Sequence, residues 1–287
     1  MPAIYKKELK GYLTSMLGYL FIFFILLLAG IYFTAYNLVS AYPKFEAVLS
    51  AVTFVFLVAV PILTMKIMAE ERKQKTDQML LTAPVSVGSI VWGKYLALIT
   101  VYLIPVLILS FYPLIMSKYG DVSYAAAYTG ILGFYLLGCA YLAIGVFLSS
   151  VTESQVIAAV LTFVVLFLFY VMDGISSFFS QKAFVSFLAF SVLLIAAAFI
   201  IYGMIKNGFL AVTIGLIGEV VLLCIYFVKS SIFEGAIQSF LSIFDINSHY
   251  SNFSNGILDI TGIIYFVSII LICMFLTIQS VVKRRWN

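Results

Sequence analysis

Charge is scarce in this sequence. Only 10% of its 287 residues are charged, whereas 64% are hydrophobic, and the mean hydropathy is +1.17. An ordinary soluble domain carries about 25% charged and about 45–50% apolar residues. A soluble core of this length could not hide so much apolar surface, so lipid must solvate much of the chain. The formal net charge of +4 is too small to indicate a nucleic-acid partner.

Histidines and paired cysteines are also missing. His249 is the only histidine, which excludes a metal site built on imidazoles. Cys139, Cys224 and Cys273 lie in apolar runs without paired spacing, as expected of small packing residues. No pair of His, Asp or Ser suited to catalysis lies at membrane depth, so an intramembrane enzyme is the least favoured class. We expect no catalytic residue, cofactor or metal in this chain.

Long apolar stretches dominate what is present. A membrane helix needs about 20 mostly apolar residues to cross the hydrocarbon. The sequence therefore predicts an all-α, multi-pass membrane protein with eight spans. The sixth and seventh are separated by only four residues and form a tight hairpin. The spans are 17–39, 47–67, 95–116, 126–148, 155–172, 185–204, 209–228 and 261–282.

The distribution of Lys and Arg predicts the orientation. With eight spans and both termini in the cytoplasm, 12 of the 16 Lys and Arg residues lie inside and four lie outside. Cytoplasmic loops carry the excess of positive residues. The four outside residues are Lys44, Lys118, Lys182 and Lys229.

Two further segments are amphipathic without spanning. In residues 1–16, the apolar side chains repeat with helical period, whereas Lys6, Lys7 and Lys10 lie off that stripe. This pattern is typical of a basic helix in the cytoplasmic interface. In residues 231–260, apolar residues from Ile232 to Phe244 repeat in the same way, which favours a segment on the outer leaflet over a solvated loop.

The longest cytoplasmic connection, residues 68–94, mixes charged and apolar residues. A dense charge cluster is followed by the apolar patch 79–81 and by Pro84, which ends any helix begun upstream. Ser86 is positioned to cap a second short helix. The segment is either a solvated loop or a short protruding helix that docks a cytosolic partner, and its length and mixed chemistry favour docking.

A phosphate-loop pattern occurs in the same segment. Residues 88–94 match G-x-x-x-x-G-K, but Tyr95 stands where a phosphate loop needs Ser or Thr for Mg²⁺. No strand precedes the pattern, and the next helix enters lipid. If ATP drives this protein, another chain must bind it.

The connection resembles the signature of ABC-2 type permeases, in particular the gliding-motility type. That family reads close to E-E-[KR]-[KR]-x-G-T-x-E-x-L-L-T-x-P-V, followed after a gap by G-K. Lys75 stands where the family usually has Gly, and Gln78 where it has Glu. The matching residues are Glu70, Glu71, Arg72, Lys73, Thr76, Leu80, Leu81, Thr82, Pro84, Val85, Gly93 and Lys94.

Two other stretches extend the resemblance. Residues 149–159, with Thr152 and Glu153, are similar to the family's short cytoplasmic turn between the fourth and fifth spans. Residues 244–286 are similar to its last outer loop and final helix. The exception is 183–230, where a six-span plan gains an extra hairpin.

The resemblance implies the membrane half of an ATP-driven exporter. It implies one transmembrane domain over residues 1–287, with a type V exporter-like six-helix core, in the plasma membrane. A second permease subunit, identical or not, would complete the pathway, and cytosolic ABC ATPases would bind ATP and Mg²⁺. Residues 68–94 would form the coupling segment, with the contacts to the ATPase made by matching residues from Glu70 to Val85, and Thr152 and Glu153 would make a smaller contact.

Glu219 lies near the middle of the seventh predicted span. A charged residue there costs about 2.5–3.5 kcal/mol on insertion scales and marks a functional candidate. Packing against a polar partner within the bundle and contact with a substrate or proton are equally consistent with it. The alternative function is therefore a secondary transporter driven by an ion gradient through Glu219. In the fourth span, Gly130, Gly133, Gly138 and Gly145 predict close helix packing.

Overall fold

The computed structural model describes residues 1–76, 85–205 and 208–285. Every regular element in these residues is a helix, which confirms the all-α class. The α-helices are α1 (Pro2–Leu13), α2 (Met16–Phe33), α3 (Phe45–Val52), α4 (Phe56–Thr64), α5 (Ala69–Lys73), α6 (Val87–Leu109), α7 (Tyr112–Met116), α8 (Tyr124–Val151), α9 (Gln155–Tyr170), α10 (Met172–Phe178), α11 (Ala183–Ile205), α12 (Gly208–Val228), α13 (Ala236–Ser242), α14 (Ile246–Ser254) and α15 (Ile260–Arg285).

Five helical stretches of the described chain are long and apolar enough to cross a membrane, or up to seven if each of two bent helix pairs is one span. The bends are 52° between α9 and α10 and 113° after Val228. All eight predicted stretches fall on helices, but α11 is counted only as a shorter apolar helix, Ala183–Phe199. The count of eight and the orientation therefore stay predictions. The five long stretches are Met16–Val39, Phe45–Lys73, Val87–Met116, Tyr124–Val151 and Ile260–Arg284.

The chain divides into two compact units. Unit 1 comprises Met1–Leu168 and Asn247–Asn287. Its centre is α8, which packs against α3, α4, α6 and α15, while α1 packs along α6. A Cβ added at Gly133, Gly138 or Gly145 would overlap Phe253, Tyr102 or Thr64 respectively. The glycines predicted to allow close packing therefore lie at points where neighbouring side chains contact the α8 backbone.

Unit 2 comprises Phe169–Ile246 and contains the predicted extra hairpin. Its two long helices, α11 and α12, pack against each other, and both contact the 3-10 turn Ser230–Phe233. The helical period predicted from Ile232 to Phe244 is interrupted, because Gly235 takes a left-handed conformation (φ 69°) before α13 begins. Phe233 and Ile237 are buried, whereas Ile232 is 55% exposed.

Candidate functional site

The candidate site is the charged end of unit 1, which we define as the end that holds Lys94. The chain turns here between α1 and α2, where the Ser15 hydroxyl caps α2 by accepting a hydrogen bond from Gly18 N at 3.4 Å. It turns again between α4 and α5 and between α8 and α9. Three connections and the start of α6 therefore meet at this end.

Lys94 is almost completely buried, with 1% of its side chain exposed, although it carries a charge. Its ammonium lies 2.8 Å from Glu8 Oε1 and 2.9 Å from Glu71 Oε2, and it donates to the Ile67 carbonyl at 3.0 Å. All three of its protons are thus used. Because an isolated ammonium is very costly to bury, these bonds are what allow Lys94 to lie inside the bundle.

Lys7 completes the network from α1. Its ammonium lies 3.0 Å from Glu71 Oε1 and 3.6 Å from Glu8 Oε1. Burial by itself lowers the pKa of Lys7, but the hydrogen bond and charge of Glu71 and the charge of Glu8 outweigh it and raise the pKa. Lys7 and Lys94 therefore balance two carboxylates, and this group of four lines a cleft of about 370 Å³. We call Lys7, Glu8, Glu71 and Lys94 the Lys94 network.

Glu71 belongs to the Lys94 network and does not lie on an exposed docking surface. The Glu71 side chain is 17% exposed and points at Lys94 and Lys7. One member of the predicted coupling group thus faces the bundle. Its neighbour Glu70 pairs with Lys66 at 3.2 Å, one helical turn earlier, with a quarter of its side chain exposed.

Arg72 joins the two predicted contact segments. Its Nε lies 2.9 Å from Glu153 Oε1, and its guanidinium donates to the Val151 carbonyl at 2.8 Å. Between α8 and α9, the Thr152 hydroxyl accepts a hydrogen bond from Ser154 N at 3.2 Å. The structure therefore brings Arg72 and Glu153 together, although 80 positions separate them in the sequence.

Ser149 and the last helix reinforce this junction. The Ser149 hydroxyl accepts hydrogen bonds from Met68 N at 3.3 Å and Ala69 N at 3.2 Å, which satisfies the free amides at the start of α5. It also donates to the Met65 carbonyl at 3.3 Å. On α15, Arg284 and Ser280 both donate to the Ser150 carbonyl.

A Schellman motif ends α5. Thr76 N donates to the Glu71 carbonyl at 3.0 Å, and Lys75 N donates to the Arg72 carbonyl at 3.1 Å. Lys75 takes a left-handed conformation, φ 57°, at the position where the resembled family usually has glycine. The departure from the family pattern therefore changes the residue and leaves the turn geometry in place.

The other predicted coupling residues have varied positions. Lys73, Lys75 and Thr76 are exposed beyond the Lys94 network, and Val85 is half-buried just before α6. Leu80, Leu81, Thr82 and Pro84 lie outside the described residues, so their predicted role stays a prediction. Ser86 is a helix cap, as predicted, and accepts a hydrogen bond from Ser89 N at 3.3 Å, but the helix it caps is the 23-residue α6 and not a short one.

The phosphate-loop pattern is part of a helix. Residues 88–94 lie in the first two turns of α6, and Lys94 is bound by carboxylates. The following Tyr95 is buried and donates to the Cys139 carbonyl at 2.9 Å. These residues form helix-packing contacts and have no loop geometry.

Sequence reasoning missed Glu8. Glu8 binds the Lys94 ammonium, and only 1% of the Lys94 side chain is exposed. A signal was present, because Glu8 lies on the same helical face as Tyr5 and Tyr12, and that face packs inward. Tyr12 is buried and donates to the Leu63 carbonyl at 3.1 Å, and Tyr5 bonds Thr100 at 3.0 Å.

Glu219 lies in unit 2, on α12. Ser191 Oγ on α11 donates to Glu219 Oε2 at 2.8 Å. This is the polar partner within the bundle that one of the two sequence interpretations requires. The other oxygen, Oε1, is buried and has no hydrogen-bond partner among the described residues.

Residues 41–182, just under half of the chain, match the model of the ABC-2 family transporter protein. A search of curated proteins finds no match. The matched region contains α3 to α10, and therefore both Arg72 and Glu153, whereas Lys7 and Glu8 precede it.

Proposed function

From the ABC-2 family match over residues 41–182, we propose that this chain is the membrane-spanning permease subunit of an ATP-binding cassette exporter. The match and the apolar helices support an ABC transporter permease, a transport component rather than an enzyme. The finer assignment follows the sequence. The chain is of the gliding-motility type, spans the plasma membrane with both termini in the cytoplasm, and pairs with a second permease subunit.

The proposal places a separate ATPase at the charged end. The observation that carries it is the Arg72–Glu153 ion pair at 2.9 Å, because it joins the two segments that the family resemblance assigns to ATPase contact. A single partner can therefore contact both. ATP and Mg²⁺ are then held by the cytosolic ATPase, and this chain binds no cofactor.

Within this surface, the contact falls on the residues that point away from the bundle. Lys73, Lys75 and Thr76 are exposed, whereas Glu71 is engaged by Lys94. Among these exposed residues the charges, those of Lys73 and Lys75, are positive, so the groove that meets them should carry acidic side chains.

The geometry also supports a route for motion. A push on α5 reaches α8 through Ser149 and Arg72, α6 through the Glu71–Lys94 pair, and α1 through the Glu71–Lys7 pair. These are hydrogen-bonded contacts between packed helices. When α5 moves, either the neighbouring helices move with it or the hydrogen bonds break. ATP-driven closure of the ATPases would thereby rock the spans between inward-open and outward-open states.

Co-purification tests this function. The tagged chain, extracted from its native host in mild detergent, should retain a partner that hydrolyses ATP. The double charge reversal Lys73→Glu with Lys75→Glu should lower the retained ATPase by about tenfold or more, because it sets like charges against each other. A matched double reversal, Lys44→Glu with Lys118→Glu at exposed positions of unit 1, should leave retention unchanged. Full retention by the first variant would refute the docking surface.

A second function is an ion-gradient-driven secondary transporter that uses Glu219. The buried Oε1 without a partner in the described residues favours it, because a proton or cation could bind there. Replacement by Gln keeps the shape and the Ser191 contact but removes the charge. If Glu219→Gln retains ATP-dependent export in vesicles, the exporter stands. If it abolishes flux driven by a pH gradient in a chain purified without any ATPase, the second function replaces it.

A further inference from the structure

Unit 1 also contains a cleft of about 890 Å³, which we call the Glu46 cleft. It lies at the opposite end of unit 1 from Lys94, because α2 leads away from Tyr12 and α3 and α4 lead back towards Ile67. Its size is within the usual range for sites that bind small molecules. The residues that matter here are Tyr36, Tyr42, Glu46, Ser50, Ser123 and Ser254.

Glu46 is the unusual feature of this cleft. Only 6% of the residue is exposed, and its side chain lines the cleft. Among the residues that the structure describes, none forms a salt bridge or a hydrogen bond to its carboxylate. Glu46 lies in the first turn of α3, where the helix dipole favours an anion, but that effect is much smaller than the desolvation of a carboxylate.

The surroundings of Glu46 are polar, and Lys44, which also lines the cleft, forms no ion pair with it. The Ser50 and Ser254 hydroxyls are hydrogen-bonded at 2.6 Å and both line the cleft. Burial raises the pKa of the nearby Tyr250 phenol, and the Glu46 carboxylate raises it further. A phenol carries no positive charge in either protonation state, so Tyr250 cannot balance Glu46. Lys44 is exposed, and its ammonium lies 5.9 Å from the centre of the Tyr42 ring.

The missing counter-charge defines the ligand. We propose that the Glu46 cleft binds a hydroxyl-bearing compound through a primary ammonium group that pairs with Glu46. The serine hydroxyls supply donors and acceptors for the ligand's own hydroxyls, and the Tyr36 and Tyr42 rings supply apolar faces for its scaffold. An ammonium of this kind occurs in amino sugars and in the ethanolamine headgroup of a lipid. The inference does not depend on an ATPase.

Titration of the purified full-length chain in detergent tests this site. The probes are the disaccharide of two glucosamine units and its di-N-acetyl form, which share a scaffold and differ in the ammonium. The ammonium form should bind about tenfold or more tightly than the acetylated form, as expected for a charge-assisted hydrogen bond. Equal binding of the two sugars, or binding of neither sugar nor the lipid probe below, would overturn the proposal.

Variants locate the binding. Glu46→Gln should abolish the preference for the ammonium form, and Ala51→Phe, which fills the cleft, should weaken binding of the ligand in a chain whose Glu46 is intact. Asp173→Asn in unit 2 is the control and should keep wild-type affinity. A preference that survives both cleft variants would contradict the assignment.

Dihexanoyl-phosphatidylethanolamine is the probe of a separate experiment. Glu46-dependent binding of this lipid would support the ammonium site and assign it to a lipid headgroup.

Discussion

At the scale of single residues, the Lys94 network contains a buried charge whose desolvation costs free energy. Moving a charged group out of water costs several kcal/mol even in a relaxed protein. Lys94 overcomes this cost through Glu8, Glu71 and the Ile67 carbonyl, at 2.8 to 3.0 Å. Removal of Lys94 therefore leaves two largely buried carboxylates with an exposed lysine, Lys7, as their remaining counter-charge.

Replacement of Lys94 should destabilise unit 1. Lys94→Met keeps the length of the side chain but removes the buried ammonium, so that Glu8 and Glu71 keep only the exposed Lys7 as a counter-charge. We expect a loss of about 3–5 kcal/mol, the range for one broken partner of a buried ion pair. The measurement is the thermal unfolding midpoint of the purified chain in detergent, together with an unfolding titration.

The matched control is Lys66→Met. Lys66 pairs with Glu70 at 3.2 Å, but its side chain is 45% exposed. An exposed pair of this kind contributes about 0.3–0.5 kcal/mol. Equal effects of the two replacements would contradict the assignment of Lys94 to a buried network.

The conformation of Lys75 predicts a replacement that stabilises the protein locally. A left-handed backbone costs a non-glycine residue about 1–2 kcal/mol, and glycine avoids most of this cost. Lys75→Gly should therefore strengthen the Schellman motif at the end of α5 and slow proteolysis near residue 75. Thr76→Gly is the control, since φ of Thr76 is not positive and glycine there should speed cleavage. Faster cleavage of the Lys75→Gly variant would contradict the left-handed turn.

At the scale of helices, α8 organises unit 1 through its glycines. Tyr102 on α6 donates to the Phe134 carbonyl at 2.6 Å, and its ring lies directly over Gly138. This side chain packs against a bare helix backbone. Any Cβ at residue 138 must push α6 away from α8.

Gly138→Ala should therefore destabilise the bundle although alanine is the better helix former. Overpacking of this type costs about 1–3 kcal/mol. The comparison is Gly30→Ala on α2, where no atom lies within 4 Å of the added Cβ. There the gain in helix propensity, about 1 kcal/mol, should dominate. Thermal midpoints that fall for residue 138 and rise for residue 30 are expected, and a rise for both would argue against close packing of α6 on α8.

The sequence predicts helices better than it predicts their contacts. Long apolar runs predict helices, and each of the eight predicted runs falls on helical residues. The bend of 52° between α9 and α10, inside the predicted span 155–172, was missed, because an apolar run does not show where a helix turns. The Arg72–Glu153 contact could be anticipated only through the family resemblance, since pairing between distant residues leaves no local signal.

Glu8 and Lys94 show the same limit at the site. Each is a charged residue near the end of an apolar segment, a pattern that normally indicates a solvated side chain. Their pairing depends on the packing of α1 along α6, which single-sequence periodicity does not specify. The direction of the Glu71 side chain was hidden for the same reason.

At the scale of the whole molecule, the charged end combines three properties in unit 1. It holds a motif segment in the region that matches ABC-2 family transporters, it connects α1, α5, α6, α8 and α15 by polar contacts, and it leaves Lys73, Lys75 and Thr76 exposed. A cytosolic motor that binds there could act on these helices together. We therefore expect an ATPase to contact this end of unit 1.

Photocrosslinking in living cells can detect the contact between the charged end and an ATPase. A benzophenone amino acid placed at Lys73, and separately at Lys118 in the loop between α7 and α8, reports which protein lies beside each position. The account predicts a light-dependent adduct at residue 73 whose partner, identified by mass spectrometry, carries a nucleotide-binding phosphate loop, and no such adduct at residue 118. An ATPase adduct at residue 118, or the absence of one at residue 73 when the chain is expressed in its native host, would show that the ATPase does not bind at the charged end.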